Sequence, residues 1–460
     1  MLFEKLRENA RSGTLPMHMP GHKRNAAFLG GELPYELDIT EISGFDDLHD
    51  MSGVLRALAD SAAALYGAAA AFPMVNGSTG GILAAVRAAA GYMPGGSIVM
   101  SRFSHKSVYN AAELCALSPV YLMPEQDGRI SPADVETAIQ STGDIRCVII
   151  TSPTYDGVVS DIAAIAEITR AYGVPLIVDA AHGAHFGFSE HFPQNATRLG
   201  ADVEIVSLHK TLPALTQSSL LLVGGGALIA TSELERQLRV FETSSPSYVL
   251  LASIDRCLKL LREDSGSLFD AHADNLRYFY DKMRDLKNLS VRNTLGNTGY
   301  DMGKVIISTN NSNITGKKLQ KLLLEQHNVE LEMATPDYAL AMTSICDTRA
   351  SFEQLGGALL QIDAGLQCEK RLAVESYSCP LRVMTPAEAR RKIGEPVLFR
   401  HAARRVAIEY VWSYPPGVPL LVPGEAVDDG VLRYVEALQA EGIDVRSDYG
   451  MLPEIMCAVE

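Results

Sequence analysis

From about residue 56 to 240 the chain alternates helix-length segments with short apolar runs, and no other feature limits its possible folds so strongly. The runs Ser97 to Met100, Cys147 to Thr151, Leu176 to Asp179, Val203 to Ser207 and Leu220 to Val223 read as strands. Between and around them Val54 to Tyr66, Gly80 to Ala90, Ser131 to Ser141 and Ile162 to Tyr172 read as helices, and the alanine-rich Ala62 to Ala71 as a helix end and turn. Such alternation predicts an α/β fold whose mainly parallel sheet is covered by helices on both faces.

With 460 residues the chain is too long for one compact core. Past Gly224-Gly225-Gly226, the stretches Ser232 to Leu261 and Leu268 to Lys287 predict helices leaving the large domain. Strand candidates Lys304 to Ser308 and Ala339 to Thr343, separated by a helix over Gly316 to His327, predict a small α/β domain. A break near Ser376 to Pro380 precedes Thr385-Pro386-Ala387-Glu388-Ala389, a helix start with proline in its first turn. The expected division is an N-terminal arm over 1–55, a large domain over 56–290, a small domain over 291–375 and a C-terminal domain over 376–460.

Open α/β sheets bind ligands at the carboxyl ends of their strands. One such end delivers Asp179, and the next delivers Ser207-Leu208-His209-Lys210, a lysine among small hydroxyl and imidazole groups. A lysine there suits an aldehyde-binding nucleophile. Together the two ends point to pyridoxal phosphate, with Lys210 forming the Schiff base and Asp179 paired to the ring nitrogen that makes the cofactor an electron sink. Asn76-Gly77-Ser78-Thr79-Gly80-Gly81 supplies a phosphate site: Gly77 and Gly80 let backbone N–H groups approach, Ser78 and Thr79 add hydroxyls, and a helix N-terminus follows. His105, after another strand, is placed to stack on one face of the pyridine, with the Ala181 methyl against the other.

These motifs resemble the Orn/Lys/Arg decarboxylases of PLP fold type I, in the short bacterial form without an N-terminal receiver-like domain. His18-Met19-Pro20-Gly21-His22-Lys23, Asn76 to Gly80, Ser104-His105-Lys106-Ser107, Pro153-Thr154-Tyr155-Asp156-Gly157, Asp179 to His185, Ser207 to Lys210 and Tyr414-Pro415-Pro416-Gly417-Val418-Pro419 carry the resemblance in family order along essentially the whole chain. Ala180 and Leu208 depart from the pattern, where an acidic residue and a threonine are frequent. The resemblance implies that Lys210 carries the cofactor, Asp179 meets its ring nitrogen, His105 stacks, and Ser207 and His209 approach the phosphate. It also implies decarboxylation of a basic L-amino acid, arginine ahead of lysine or ornithine, a place in polyamine biosynthesis, and a homodimer or assembly of dimers. An N-terminal arm would pack across the dimer and help wall the site.

His182 is expected near the cofactor and the substrate carboxylate, sharing with Lys210 the candidacy for protonating Cα. The spacing of His182 and His185 could also bind a metal, but the adjacent lysine fits the organic cofactor better, and no metal site is expected. Candidates for reading the distal cation of the substrate are Asp38, Glu41, Asp46, Asp47, Glu332 and Asp337. Rival readings are an aminotransferase or lyase of the same fold type, and a non-catalytic regulatory homologue. An aminotransferase would need an arginine for the α-carboxylate, for which Arg382, Arg400, Arg404 and Arg405 are candidates.

A net charge of −15 disfavours nucleic-acid binding and suits a cationic substrate. Seven cysteines without CxxC spacing argue against a disulfide framework and for a reducing cytoplasm. No signal-peptide core or membrane-length apolar run is present.

Overall fold

Seven strands make the main sheet: β1 (Ala70–Met74), β2 (Ser97–Ser101), β3 (Ser118–Leu122), β4 (Ile145–Thr151), β5 (Leu176–Asp179), β6 (Val203–Ser207) and β7 (Ser219–Val223). Their order is β1-β7-β6-β5-β4-β2-β3, parallel except for β7, which runs against both of its neighbours. This is a computed structural model, and it describes residues 1–93, 95–370, 377–414, 417–450 and 452–459. Ser376 in the expected interdomain break and Pro415-Pro416 of the C-terminal motif lie outside the described residues.

The apolar runs became central strands because successive side chains point to opposite faces, and both faces are covered. Val148, Ile150, Val178 and Val206 enter one hydrophobic core, while Cys147, Ile149, Ile177 and Ile205 enter the other. On the first face lie helices Val54–Tyr66, Ile162–Ala171 and Tyr248–Lys282; on the second lie Gly77–Ala90, Lys106–Leu114 and Thr231–Phe241.

Three local expectations need correction. β1 and β3 were not among the predicted strands, and β1 begins within the stretch read as helix end and turn. Both are sheet edges and both contain proline, Pro73 and Pro119, which weakens a strand signal but is tolerated where one side of the ladder is open. The helix expected from Gly80 starts at Gly77, whose φ of +69° suits glycine. The break expected between Leu261 and Leu268 does not occur. One helix of 35 residues runs through it, about 50 Å long, because Leu261 and Phe269 are buried on either side of the exposed Gly266. The interruption lies earlier, at Glu242 to Ser247, where Ser247 caps the long helix by accepting from the Leu250 N–H at 3.3 Å.

That helix extends from the main sheet to a second, antiparallel sheet of β8 (Ser290–Val291), β9 (Lys304–Ser308), β10 (Met333–Ala334) and β11 (Tyr338–Met342), ordered β10-β11-β9-β8. Helices Gly316–His327 and Arg349–Ala364 pack beside it, and Phe279 of the long helix meets Phe352 at a ring separation of 5.9 Å. The C-terminal part has a separate core built around helix Asp429–Ala440. Fully buried Arg102 joins it to the main sheet, donating to Pro419 O at 2.8 Å, Tyr377 Oη at 2.6 Å and Glu425 Oε2 at 3.2 Å. Among the described residues no helix is long and apolar enough to cross a membrane.

Candidate active site

The predicted groups converge at the carboxyl ends of β2, β5 and β6 and at the start of helix Gly77–Ala90. β5 ends on Asp179, which is 2% exposed and accepts the Ala181 N–H at 3.2 Å. Burial raises its pKa, outweighing the opposing pull of His105, Lys210 and the Ala181 N–H. No ion pair reaches Asp179 among the described residues. A buried carboxylate in that condition is suited to a cationic ring nitrogen.

β6 passes directly into the short helical turn Leu208–Thr211 that holds Lys210. Burial lowers the lysine's pKa, against Asp179 and Glu332. Its Nζ lies 2.9 Å from His182 Nε2. His209 donates from Nδ1 to Ser218 O at 3.0 Å, which orients its ring from the residue just before β7.

Ser207 Oγ lies 2.6 Å from Ser78 Oγ, so the lysine strand and the glycine-rich helix start share a hydroxyl pair. Asn76 does not cap this helix, because its amide donates to Phe241 O at 2.9 Å. Gly77 donates to Gln217 O at 3.0 Å. At Gly80 an added Cβ would stand 3.1 Å from Glu242 Oε1, so the helix start can pack this closely only without a side chain. Uncapped first-turn N–H groups beside Ser78, exposed Thr79 and Ser207 form a donor set for an oxyanion.

His105 is the N-cap of helix Lys106–Leu114, with Nδ1 accepting the Ser107 N–H at 3.2 Å. Its exposed ring opens to the cleft, yet surrounding protein, and then Lys210 and Lys106, depress its pKa against the pull of Asp179. Buried Ala181 follows Asp179 by two residues. An amine, an isolated buried carboxylate and a phosphate-sized donor set therefore occupy one cleft, and they fit pyridoxal phosphate.

Sequence reasoning missed Lys304, the first residue of β9 and only 2% exposed. Its Nζ contacts His182 Nδ1 at 2.9 Å. A lysine opening an apolar run was the only signal, and it reads equally well as a solvated strand end. Tyr155 was quoted in a motif without a role. Its ring lies 4.5 Å from that of His182, and its hydroxyl donates to Glu332.

The two histidines of the metal-like spacing have different partners: His182 faces the two lysines, and His185 Nε2 faces Asp301 Oδ1 at 3.2 Å. Among the acids considered for substrate recognition, Asp46 is engaged elsewhere. It accepts the N–H groups of Gly53 and Leu55 at 2.6 and 2.8 Å, serving as a remote cap for helix Val54–Tyr66. Asp38 pairs with His22 at 3.1 Å, whereas Glu332 influences the charge of both Lys210 and Lys304. Arg382 donates to Ser118 and Pro119 at the amino end of β3, away from the strand ends that hold Asp179 and Lys210. Arg405 pairs with Glu395 at 2.6 Å, and Arg400 and Arg404 are exposed.

A family model described as the Orn/Lys/Arg decarboxylase major domain matches residues 1–297, and one for the C-terminal domain of the same family matches residues 370–444. The arginine decarboxylase of Bacillus anthracis is 30% identical over 472 residues, covering 98% of this chain and 95% of the relative. Among solved structures, the lysine decarboxylase of Francisella novicida gives a TM-score of 0.83 at 17% identity, covering 100% of this chain and 81% of its own. An alanine–glyoxylate aminotransferase from Nostoc sp. gives a TM-score of 0.55 at 16% identity over 68% of this chain and 90% of its own.

Proposed function

Because this chain belongs to the Orn/Lys/Arg decarboxylase family, we propose that its substrate is a basic L-amino acid, arginine ahead of lysine or ornithine, converted to CO2 and the corresponding amine. The enzyme is a decarboxylase of PLP fold type I with pyridoxal phosphate as cofactor. The observation that supports the reading most is the meeting of Lys210 with His182 at 2.9 Å beside buried Asp179, just past the ends of the paired strands β5 and β6.

Pyridoxal phosphate, when bound, supplies the electron sink for the pair left by the departing carboxylate. In our reading Lys210 would hold it through Nζ, and Asp179 would keep the ring nitrogen protonated. Ser78, Thr79, Ser207 and His209 would hold the phosphate, with Gly77 and Gly80 shaping the turn. His105 and Ala181 would hold the ring. Lys210 or His182 would return the proton to Cα. Preference for arginine is supported by relatives such as the Bacillus anthracis arginine decarboxylase and by Glu332, a carboxylate within electrostatic reach of Lys210. A homodimeric, cytoplasmic enzyme of polyamine biosynthesis completes the reading.

Incubating purified protein with each basic amino acid in turn and measuring CO2 and amine tests it. Stoichiometric CO2 and agmatine from arginine, with less product from lysine and ornithine, is the expected result. Keto-acid product without CO2, or no turnover of any basic amino acid, would overturn it.

A further inference from the structure

His105 is carried by a segment that the C-terminal part of the chain grips on both sides. Three residues before it, fully buried Arg102 donates to Pro419 O, Tyr377 Oη and Glu425. One residue after it, Lys106 Nζ donates to Asp448 Oδ1 at 2.7 Å and lies 3.7 Å from the centre of the Trp412 ring. Asp448 is itself fixed, because the Tyr410 N–H donates to its Oδ2 at 3.2 Å, Arg390 pairs with the same oxygen, and the Asp448 N–H donates to Tyr410 O at 3.2 Å. At the far end of helix Lys106–Leu114, Glu113 accepts from Tyr410 Oη at 3.1 Å and pairs with Arg390 at 3.4 Å.

These anchors reach the His105 ring through the first turn of that helix. Nδ1 accepts the Ser107 N–H at 3.2 Å and lies 2.8 Å from Ser107 Oγ, so the direction of the ring follows the turn that contains Lys106. A lysine at a helix start is ordinarily a mobile, solvated chain. Here a charge-assisted hydrogen bond and the face of an indole hold one ammonium in place. Arg102 is the deeper anchor, but its removal would leave buried Glu425 without its ion pair. The Lys106 side chain is 28% exposed, so its charge can be removed without burying an orphan ion of that kind.

We propose that Lys106 is a positioning residue: through Asp448 and Trp412 the C-terminal part sets the first turn of helix Lys106–Leu114, and with it the plane in which the His105 ring meets the cofactor. The inference rests on His105 being the ring-stacking residue.

The test compares holoenzyme variants by visible circular dichroism of the bound cofactor, which reports its asymmetric surroundings, and by kcat and KM for the basic amino acid turned over fastest. His105→Ala sets the scale. Lys106→Met should lower kcat about tenfold with KM little changed, since misplacement costs rate more than binding, and should move the dichroism towards that of His105→Ala. Lys106→Arg, which keeps a cation for both partners, should restore most of both. Asp448→Asn leaves the ammonium present but loosens its hold, so it should reproduce Lys106→Met. Wild-type behaviour of Asp448→Asn would mean that the ammonium acts on His105 through its charge alone, and it overturns the positioning role. In the His105→Ala background Lys106→Met should add no more than about twofold; a loss of equal size in both backgrounds overturns the positioning role alone. Wild-type dichroism and turnover in His105→Ala overturn the stacking role, and the inference with it. Trp412 is the only tryptophan of the chain, so its emission verifies in every variant that the C-terminal part is folded. Hydrogen exchange of the wild type needs no variant to fold: adding pyridoxal phosphate to apoenzyme should slow exchange of the Tyr410 and Asp448 amides, because coupling between two sites is reciprocal, and unchanged exchange overturns the proposal.

Discussion

Ser78 and Ser207 stand 129 residues apart in sequence, and their hydroxyl oxygens are 2.6 Å apart. The pair joins the first turn of a helix to the strand that carries Lys210, so any anion bound there is read by two elements at once. Ser78→Ala and Ser207→Ala should each weaken pyridoxal phosphate binding by about 1 kcal/mol, measured by titrating apoenzyme. Because the hydroxyls touch, the double variant should lose less than the two single losses combined. Full additivity would mean that they act separately.

Asp179→Asn should fold and retain some cofactor but lose turnover by several kcal/mol, on the order of a thousandfold, since a neutral amide cannot keep the ring nitrogen protonated. Single-turnover rates with saturating cofactor isolate this effect from binding. Turnover close to wild type would remove Asp179 from the chemistry.

Glu332→Gln should raise KM for arginine more than for ornithine. A guanidinium can form a planar two-point contact with a carboxylate that an ammonium cannot, a difference of about 1.5 kcal/mol. The comparison is made on kcat/KM for arginine, lysine and ornithine. An equal change for all three would locate recognition of the distal group elsewhere.

Stability should fall as pH rises from about 4.5 to about 7, in part through Glu242. Its Oε2 accepts the Val75 N–H at 3.2 Å, Oε1 has no partner among the described residues, and burial raises its pKa to about 7. Between the unfolded and folded values the native state keeps a proton that the unfolded chain has released, so native stability is greatest below that window and lost through it. Glu425, also raised to about 7 by burial despite Arg102, adds a loss in the same window. Glu242→Gln should remove its own share, on the order of 2 to 3 kcal/mol, seen by urea unfolding at about pH 5 and about pH 8. An unaltered pH slope would contradict this.

The sequence exposed those parts of the candidate site in which a polar residue terminates an uninterrupted apolar run, as at Asp179 and Ser207. Both are central strands, where burial on two faces leaves a pattern that no surface segment imitates. Edge strands β1 and β3 lacked that pattern because one open side tolerates Pro73 and Pro119. The long helix was misread at Ser265-Gly266-Ser267 because local propensity favoured a break where packing of Leu261 and Phe269 maintains continuity. Lys304 was missed for a different reason. Its burial is created by the small sheet closing on His182, a long-range contact that leaves no periodic trace. Asp46 shows the converse: an acid near the amino-terminal motifs invited a functional role, but the N–H groups of a nearby helix end occupy it.

The reversed direction of β7 limits how Lys210 can move. β6 pairs with it through Ser207 and Ser219, and Leu208 N–H donates to Ser218 O at 3.0 Å. The backbone leading into the lysine is thus fastened to the β6–β7 ladder, and Leu212 N–H closes the turn behind it on Leu208 O at 2.9 Å, so its Cα serves as an anchored pivot. If Lys210 is the cofactor lysine, as proposed, the amine would leave its partner and return to it in each cycle, and that excursion would fall to rotations about the four-carbon stem. On that reading the enzyme would swing a tethered arm from an anchored post, and recapture after each turnover would be a short search over rotamers instead of a loop rearrangement.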